Sequence, residues 1–339
     1  EAFMRVFSLI TLCTLTACES LFGQFIKIEN CDSSGVNCQP EDAFTSDPFD
    51  MGSTLNDDLS AQDMSTLPTP DMSIIPPAGM LFVEGQTFQL GRPTVTGGAD
   101  FPPFNVTIKS FFLDKKEVLT SRYKACVAAS KCPTITNTAS TCNTRTNLRD
   151  DHSVNCVNKT QAEMFCAWEG MQSPAGMPYR LPTEEEWELA ATGAVATSAG
   201  MELYPWGAAS SYTMADYTTI RKRICWDRPN NGTCAPGSLP GPLYSTYMGK
   251  EQPNGFLDLA GSLREWTSTP DCNYQIGGPC VTASGKFIVR GSSFTQTADM
   301  QLGLNGQLKD NFLRATYRQP QATTDDPDDR GFRCAKSYP

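Results

Sequence analysis

The chain has 339 residues, with 37 Asp and Glu against 27 Lys and Arg, a single His and a formal net charge of −10. Eleven acids against one base, Lys27, lie between Glu19 and Met80, while residues 81–339 hold 25 of each sign. A neutral domain on an acidic segment lacks the basic face that nucleic acid requires, and one His without any Cys-x-x-Cys spacing argues against a zinc centre.

The first element in chain order is "MRVFSLITLCTLTAC", Met4 to Cys18. One Arg precedes an apolar run too short, and too polar at its end, to span a bilayer, which is the pattern of a secretory signal. Its last four residues look like a bacterial lipobox, so residues 1–18 are expected to be a lipoprotein signal peptide with lipidation at Cys18. The competing reading is an ordinary secreted protein cut near Ala17. Lipidation would anchor the chain rather than make it span, since each buried methylene contributes about 0.8 kcal/mol. The expected location is the bacterial cell envelope, lipid-anchored in the periplasm or at the surface. Glu19, following the lipidated Cys, favours the outer membrane.

Residues 19–79 repeat Asp-Leu-Ser and Asp-Met-Ser between prolines. Such a stretch buries too little apolar surface to offset its ordering entropy, so it is expected to be a disordered tether. Residues 80–339 are expected to be one domain, long enough to bury a core.

Within that domain "MLFVEGQTFQLG" and "FNVTIKSFFLD" predict strands, with Gly85 and Gly91 as breaks. "KEVLTSRYKACVAAS" places Val118, Tyr123 and Val127 near helical spacing, with Thr120 as a candidate cap. In "TQAEMFCAWEG" Ala162, Phe165, Cys166 and Trp168 share a helical face that Gly170 is expected to end. "RLPTEEEWELAATG" predicts a capping box, with Thr183 capping and Glu186 reaching back. Glu184, Glu185 and Glu186 suit the positive end of the helix dipole, which accounts for them without acid–base chemistry. Beyond residue 200 Gly, Pro, Asn and Trp dominate, so a loop-rich core is expected.

Of the 14 Cys, Cys13 lies in the signal and Cys18 would carry lipid, leaving an even number for an oxidising compartment. The expected pairs are Cys31–Cys38, Cys126–Cys132, Cys142–Cys156, Cys166–Cys334, Cys225–Cys234 and Cys272–Cys280, most of them from proximity alone, although sequence does not fix connectivity. His152, in "DDHSVNC", is a lone loop His, and nothing in the sequence places a Ser against it as a triad nucleophile.

The order of motifs resembles the formylglycine-generating enzyme family, also called the sulfatase-modifying-factor domain. The matching runs are "GQTFQLG", "FFLDKKEVLTSRYKACV", "NCVNKTQAEMFCAWEG", "RLPTEEEWELAATGA", "YPWG", "GFLDLAGSLREWTS", "VRGSSF", "LRATYR" and "GFRCA", spread over about residues 80–336. The resemblance implies a single α+β domain with a C-type-lectin-like core and little regular secondary structure. It also supports the pairing of Cys166 with Cys334. It places Asp258, Gly261, Leu263 and Glu265 at the family's calcium ligands, where carboxylate and carbonyl oxygens suit a hard cation of structural role. Ser262 departs from the family's commoner Asn. The competing reading has Asp258 capping a turn and Glu265 paired with an Arg.

In oxygen-dependent members two Cys, five apart, follow the Arg-Gly-Gly-Ser-aromatic run and bind copper(I). Here those positions fall on Gln296 and Gln301, and an amide cannot replace a thiolate toward a soft cation. One His cannot build the iron site of another branch. Neither copper nor iron is therefore expected, and Gln296 and Gln301 become candidate ligand-binding residues. Arg314 and Arg318 are expected in structural salt bridges, and Tyr317 and the five Trp in the core. The resulting expectation is an anchored extracytoplasmic module that binds a protein, peptide or glycan or serves structurally. The alternatives are an enzyme using the same pocket for other chemistry, or a divergent formylglycine-generating oxidase.

Overall fold

Each of the two apolar runs of residues 80–114 breaks into two strands: β1 (Met80–Val83) and β2 (Thr87–Leu90), then β3 (Phe104–Thr107) and β4 (Phe111–Asp114). The strands of one run pair with those of the other, β1 with β4 and β2 with β3, all antiparallel. Gly85 sits at the first break, its N–H donating to Ser110 Oγ at 2.9 Å. Gly91 ends β2 at φ +91°, and a Cβ there would lie 2.7 Å from Asp100 O. β2 alternates exposed Thr87 and Gln89 with buried Phe88 and Leu90, as a half-covered strand should. All four residues of β4 are buried because it lies between β1 and β11 (Ala335–Ser337). Its alternation sends Phe111 and Leu113 into one apolar cluster and Phe112 into another, so this sheet separates two cores.

The structure is a computed structural model and describes residues 76–92, 100, 102–173, 178–193, 202–209, 220–229, 231–239, 255–271, 274, 285–296 and 312–338. The chain divides into Glu1–Thr69 and Pro70–Pro339, and all described residues fall in the second unit. The expected signal peptide, Cys18, the tether up to residue 75 with Cys31 and Cys38, Cys272 with Cys280, and Gln301 all lie outside the described residues. Among the described residues no helix is long and apolar enough to cross a membrane.

Helix α1 (Thr120–Ala128) corrects one expectation: its N-cap is Leu119, and no side chain caps it. Leu119 is held in a bridge to Ser153, and the N–H groups of Thr120 and Ser121 are taken by the carbonyls of His152 and Asp150. Tertiary partners therefore satisfy the helix start, and Thr120 is buried. Helix α2 (Lys159–Gln172) runs through Gly170, which is buried within it rather than ending it; the C-cap is Ser173. Ala162, Phe165 and Cys166 are buried, and Trp168 packs partly buried against the same cluster. The start of α2 has a capping box of Asn158 and Gln161. Helix α3 (Glu184–Thr192) has the expected box, with Glu186 N–H donating to Thr183 Oγ1 at 3.2 Å and Thr183 N–H to Glu186 Oε2 at 2.9 Å.

After a hairpin of β5 (Glu202–Tyr204) and β6 (Gly207–Ala209), a second sheet forms from β7 (Arg264–Pro270), β8 (Lys286–Arg290), β9 (Arg318–Ala322) and β10 (Arg330–Gly331). Its order is β10-β7-β8-β9, with only the β10–β7 pair parallel. α3 packs on β7 and β8. Gly331 permits the approach of β10, since a Cβ there would meet Leu263 Cδ1 at 2.5 Å and Val154 O at 2.6 Å. The result is an α+β domain with sparse regular structure.

Among the described residues four disulfides brace it: Cys126–Cys132, Cys142–Cys156, Cys166–Cys334 and Cys225–Cys234. Cys166–Cys334 ties α2 to the residue before β11 across a separation of 168 residues. Four of the five Trp (187, 206, 226 and 266) are buried.

Candidate functional site

The segment after β8 is fixed first by charge. Arg290, the last residue of β8, is fully buried; it donates from NH2 to Glu188 Oε2 and from NH1 to the carbonyls of Thr316 (2.8 Å) and Tyr317 (3.1 Å). Glu188 also accepts from the Gly91 amide at 2.8 Å. Burial pushes the Glu188 carboxyl up to about 7, against Arg290 and that amide, which favour its charged form. Glu184, at the start of α3, takes two hydrogen bonds from Arg318 and one from Tyr274 Oη. Arg314 pairs with Asp100 at 3.2 Å. The acids of α3 thus do more than stabilise a helix end: they clamp α3 to β8 and β9.

Beyond Arg290 the backbone turns at Gly291, φ +79°. Ser293 N–H donates to Gln296 Oε1 at 3.0 Å and Phe294 N–H to Ser262 O at 2.9 Å. From the other side the amides of Asp227 and Arg228 donate to Gln296 O (3.1 Å) and Phe294 O (2.8 Å). Ser293 Oγ and Thr295 Oγ1 are 2.9 Å apart. Gln296 is 2% exposed, and its Nε2 has no hydrogen-bond partner among the described residues. A fixed amide with one uncommitted N–H₂ can donate to a ligand oxygen. The disulfide Cys225–Cys234 lies next to this segment, with Arg228 NH1 2.7 Å from Cys234 Sγ.

The loop expected to hold calcium packs against the same segment. Asp258, Gly261 and Ser262 have φ of 58°, 89° and 54°, the left-handed turns that fold it back. Gly261 is required here, since a Cβ would sit 2.7 Å from Cys225 O. Its N–H donates to Ser292 Oγ at 2.7 Å. Ser262 N–H donates to Cys225 O at 2.7 Å, and Glu117 accepts from Leu263 N–H (3.0 Å) and Ser262 Oγ (2.8 Å). Glu117, which the sequence reading does not single out, therefore organises the loop from 145 residues away. Glu265 is committed to Arg333, which donates to both its oxygens at 2.6 and 2.7 Å, and to Trp187 Nε1 at 2.9 Å.

Three features of the loop fit a hard cation. Asp258 Oδ2 is buried without a hydrogen-bond partner. Burial, then the charge of Glu265 against that of Arg333, leaves the Asp258 carboxyl raised to about 6; burial and the charges of Glu265 and Asp258 push Glu117 well up. The carbonyl oxygens of Leu259 and Leu263 come within 3.6 and 3.7 Å of the position a Cβ would take at Gly291. Among the described residues no three acidic, His or Cys side chains gather closely enough to hold a metal by themselves, so backbone carbonyls would have to supply part of the shell.

Among the described residues copper(I) finds no free thiolate: all eight described Cys are paired in disulfides, and Gln296 offers an amide. His152 is placed structurally: its Nδ1 lies 3.0 Å from Thr233 Oγ1, and Thr233 in turn accepts from buried Asn143. Burial lowers the His152 pKa.

A disulfide-tied α+β domain with this turn after β8 and this loop before β7 defines a sulfatase-modifying-factor fold. Residues 65–338 match the sulfatase-modifying factor enzyme 1-like domain, and the chain belongs to that family. Similar proteins include two described as inactive C-alpha-formylglycine-generating enzyme 2. That of Mus musculus is 29% identical over 181 residues, covering 53% of this chain and 48% of its own. That of Bos taurus is 28% identical over 179 residues, with the same coverage of 53% and 48%. The chain therefore spans about half the length of these relatives. PvdO from Pseudomonas aeruginosa has a similar fold, with a TM-score of 0.55 at 19% identity over 76% of this chain and 94% of its own. Treponema denticola variable protein 1 gives 0.51 at 17% identity, over 77% and 95%. At these identities the two structures speak to fold alone.

Proposed function

We propose that the protein is a membrane-anchored extracytoplasmic member of this family that does not form formylglycine and acts as a binding or structural module. The observation that carries this reading is Gln296, a buried amide with Oε1 fixed by Ser293 and Nε2 uncommitted, where the family resemblance implies the first copper thiolate. The description of the mouse and bovine relatives as inactive supports it. The ligand would be a protein, peptide or glycan presenting a carbonyl or hydroxyl oxygen to Gln296, with Gln301 as a further contact. Lipidation at Cys18 would hold the domain to the envelope, with the outer membrane favoured by Glu19.

Calcium would brace the domain, held by Asp258 through Oδ2, by the carbonyls of Gly261 and Leu263, and by Glu265 through the oxygen that accepts only one N–H. Bound there, it would neutralise the buried acids and fix the loop that carries Ser262 against Phe294. The test has two parts, both on the full chain. Incubation with copper(I), oxygen and a sulfatase peptide containing the target Cys is expected to leave the peptide thiol intact, and conversion of that thiol to an aldehyde would overturn the reading. Elemental analysis with and without chelator is expected to find near-stoichiometric calcium and no copper or iron.

A further inference from the structure

Strand β10 lies parallel to β7 with Arg330 opposite Arg264. Residues opposite one another on neighbouring strands point to the same face, so two guanidinium groups stand side by side, an arrangement that like charge disfavours. One carboxylate accompanies them: Arg264 NH1 lies 3.2 Å from Asp329 Oδ2. Arg330 is only 5% exposed, yet its guanidinium makes no hydrogen bond or ion pair among the described residues. Its guanidinium carbon lies 5.9 Å from the centre of the Trp266 ring. Three polar atoms here, Arg264 Nε, Arg330 Nε and Asp329 Oδ1, are buried without a hydrogen-bond partner. Burial and the neighbouring Arg264 lower the Arg330 pKa, while Asp329 and Asp325 oppose that shift. The side chains of Arg264 and Asp329 are each 12% exposed, so the place is narrow but reaches the surface.

A largely buried place where two guanidinium groups share the paired carboxylate of Asp329, with Asp325 a weaker influence on Arg330, leaves positive charge incompletely compensated, and such charge is unfavourable unless paired. We infer that Arg264 and Arg330 form a binding site for a sulfate or phosphate group. Each guanidinium presents N–H groups in a planar fork, and a tetrahedral oxyanion can offer a separate pair of oxygens to each of two forks, whereas a carboxylate has a single pair. Trp266 would form the apolar wall beneath the anion, and Asp329 would hold Arg264 in orientation. This site is separate from the Gln296 segment and does not depend on the function proposed there.

The test is calorimetric titration and thermal unfolding of the full chain with sodium phosphate and sodium sulfate, against sodium chloride at matched ionic strength. Both tetrahedral anions also stabilise proteins by exclusion from their surfaces, an effect without saturation, so the variants decide. Wild type is expected to bind one anion saturably. Arg330→Met is expected to abolish that binding and to melt higher than wild type in chloride, because the incompletely compensated charge is gone. Arg330→Lys, which keeps the charge but loses the fork, is expected to weaken binding roughly tenfold or more. A phosphate monoester titrated in parallel separates a free anion from an esterified one: tighter binding of the ester assigns the site to a larger ligand. Equal, unsaturable stabilisation of wild type and Arg330→Met, or a lower melting temperature of Arg330→Met in chloride, would overturn the inference.

Discussion

Arg318 grips Glu184 with two hydrogen bonds, Nε to Oε2 and NH2 to Oε1, each 2.9 Å long. Both side chains are essentially inaccessible to water, and Arg318 also lies 4.4 Å over the Tyr274 ring. The contact fastens β9 to the first turn of α3, and through Arg290 and Glu188 it supports the turn that carries Gln296. Removing one member of such a pair strands the other charge in the interior. Arg318→Met is expected to cost about 3–5 kcal/mol in urea unfolding. Adding Glu184→Leu should recover a substantial part, because the remaining Arg290 retains Glu188.

The buried acids set a pH dependence with a definite sign. Burial is the main cause that holds Glu188 at about 7 and Asp114 at about 6, both above their ordinary values of 4.5 and 3.8. Between about pH 4 and pH 7 the native state therefore retains protons that the unfolded chain has released, and stability falls as pH rises through that window. Glu188→Gln should flatten the upper part of the decline. The check is the melting temperature of wild type and variant at pH 4.5, 6 and 7.5 in constant salt.

Disulfide loss should scale with the length of chain each bridge closes. Cys166 and Cys334 are buried in one apolar cluster and lie 168 residues apart, whereas Cys126 and Cys132 are separated by 6. Replacing Cys166 and Cys334 together by Ala is expected to cost about 4–5 kcal/mol by loop-closure entropy. The Cys126 and Cys132 double replacement should cost clearly less, and chemical denaturation of the two variants compares them directly.

What was legible in the sequence is what depends on near neighbours. The box at Thr183 and Glu186 spans four residues; Asn158 with Gln161 carries the same local signal at the start of α2, although the sequence reading names only the first. Thr120 shows the limit of that logic: the helix starts one residue earlier, with Leu119 at the N-cap, and the N–H groups of Thr120 and Ser121 are satisfied by the carbonyls of residues 152 and 150. Gly170 shows another: a Gly inside a packed helix stops nothing unless the backbone turns left-handed after it, as it does at Gly193 with φ +61°. The candidate site was legible as motifs but not as contacts. Glu117 to Ser262, Glu265 to Arg333 and Arg264 beside Arg330 each join residues tens to more than a hundred positions apart. The short strands β7 to β10 lack a readable alternation, and β7 shifts register between Trp266 and Pro270.

Asp258 offers the sharpest separation of a calcium loop from a loop held only by its hydrogen bonds. Its backbone is left-handed at φ 58°, a conformation that Asn tolerates, so Asp258→Asn changes charge without straining the turn. In chelator the variant is expected to be as stable as wild type or more so, because a buried carboxylate oxygen without a hydrogen-bond partner is replaced by a neutral amide. In calcium the order should reverse. Wild type gains about 2.7 kcal/mol at one hundred times the dissociation constant, and the variant gains little. Thermal unfolding of both proteins with chelator and with millimolar calcium reads this crossover. An equal response of the two proteins to calcium would place any bound ion elsewhere.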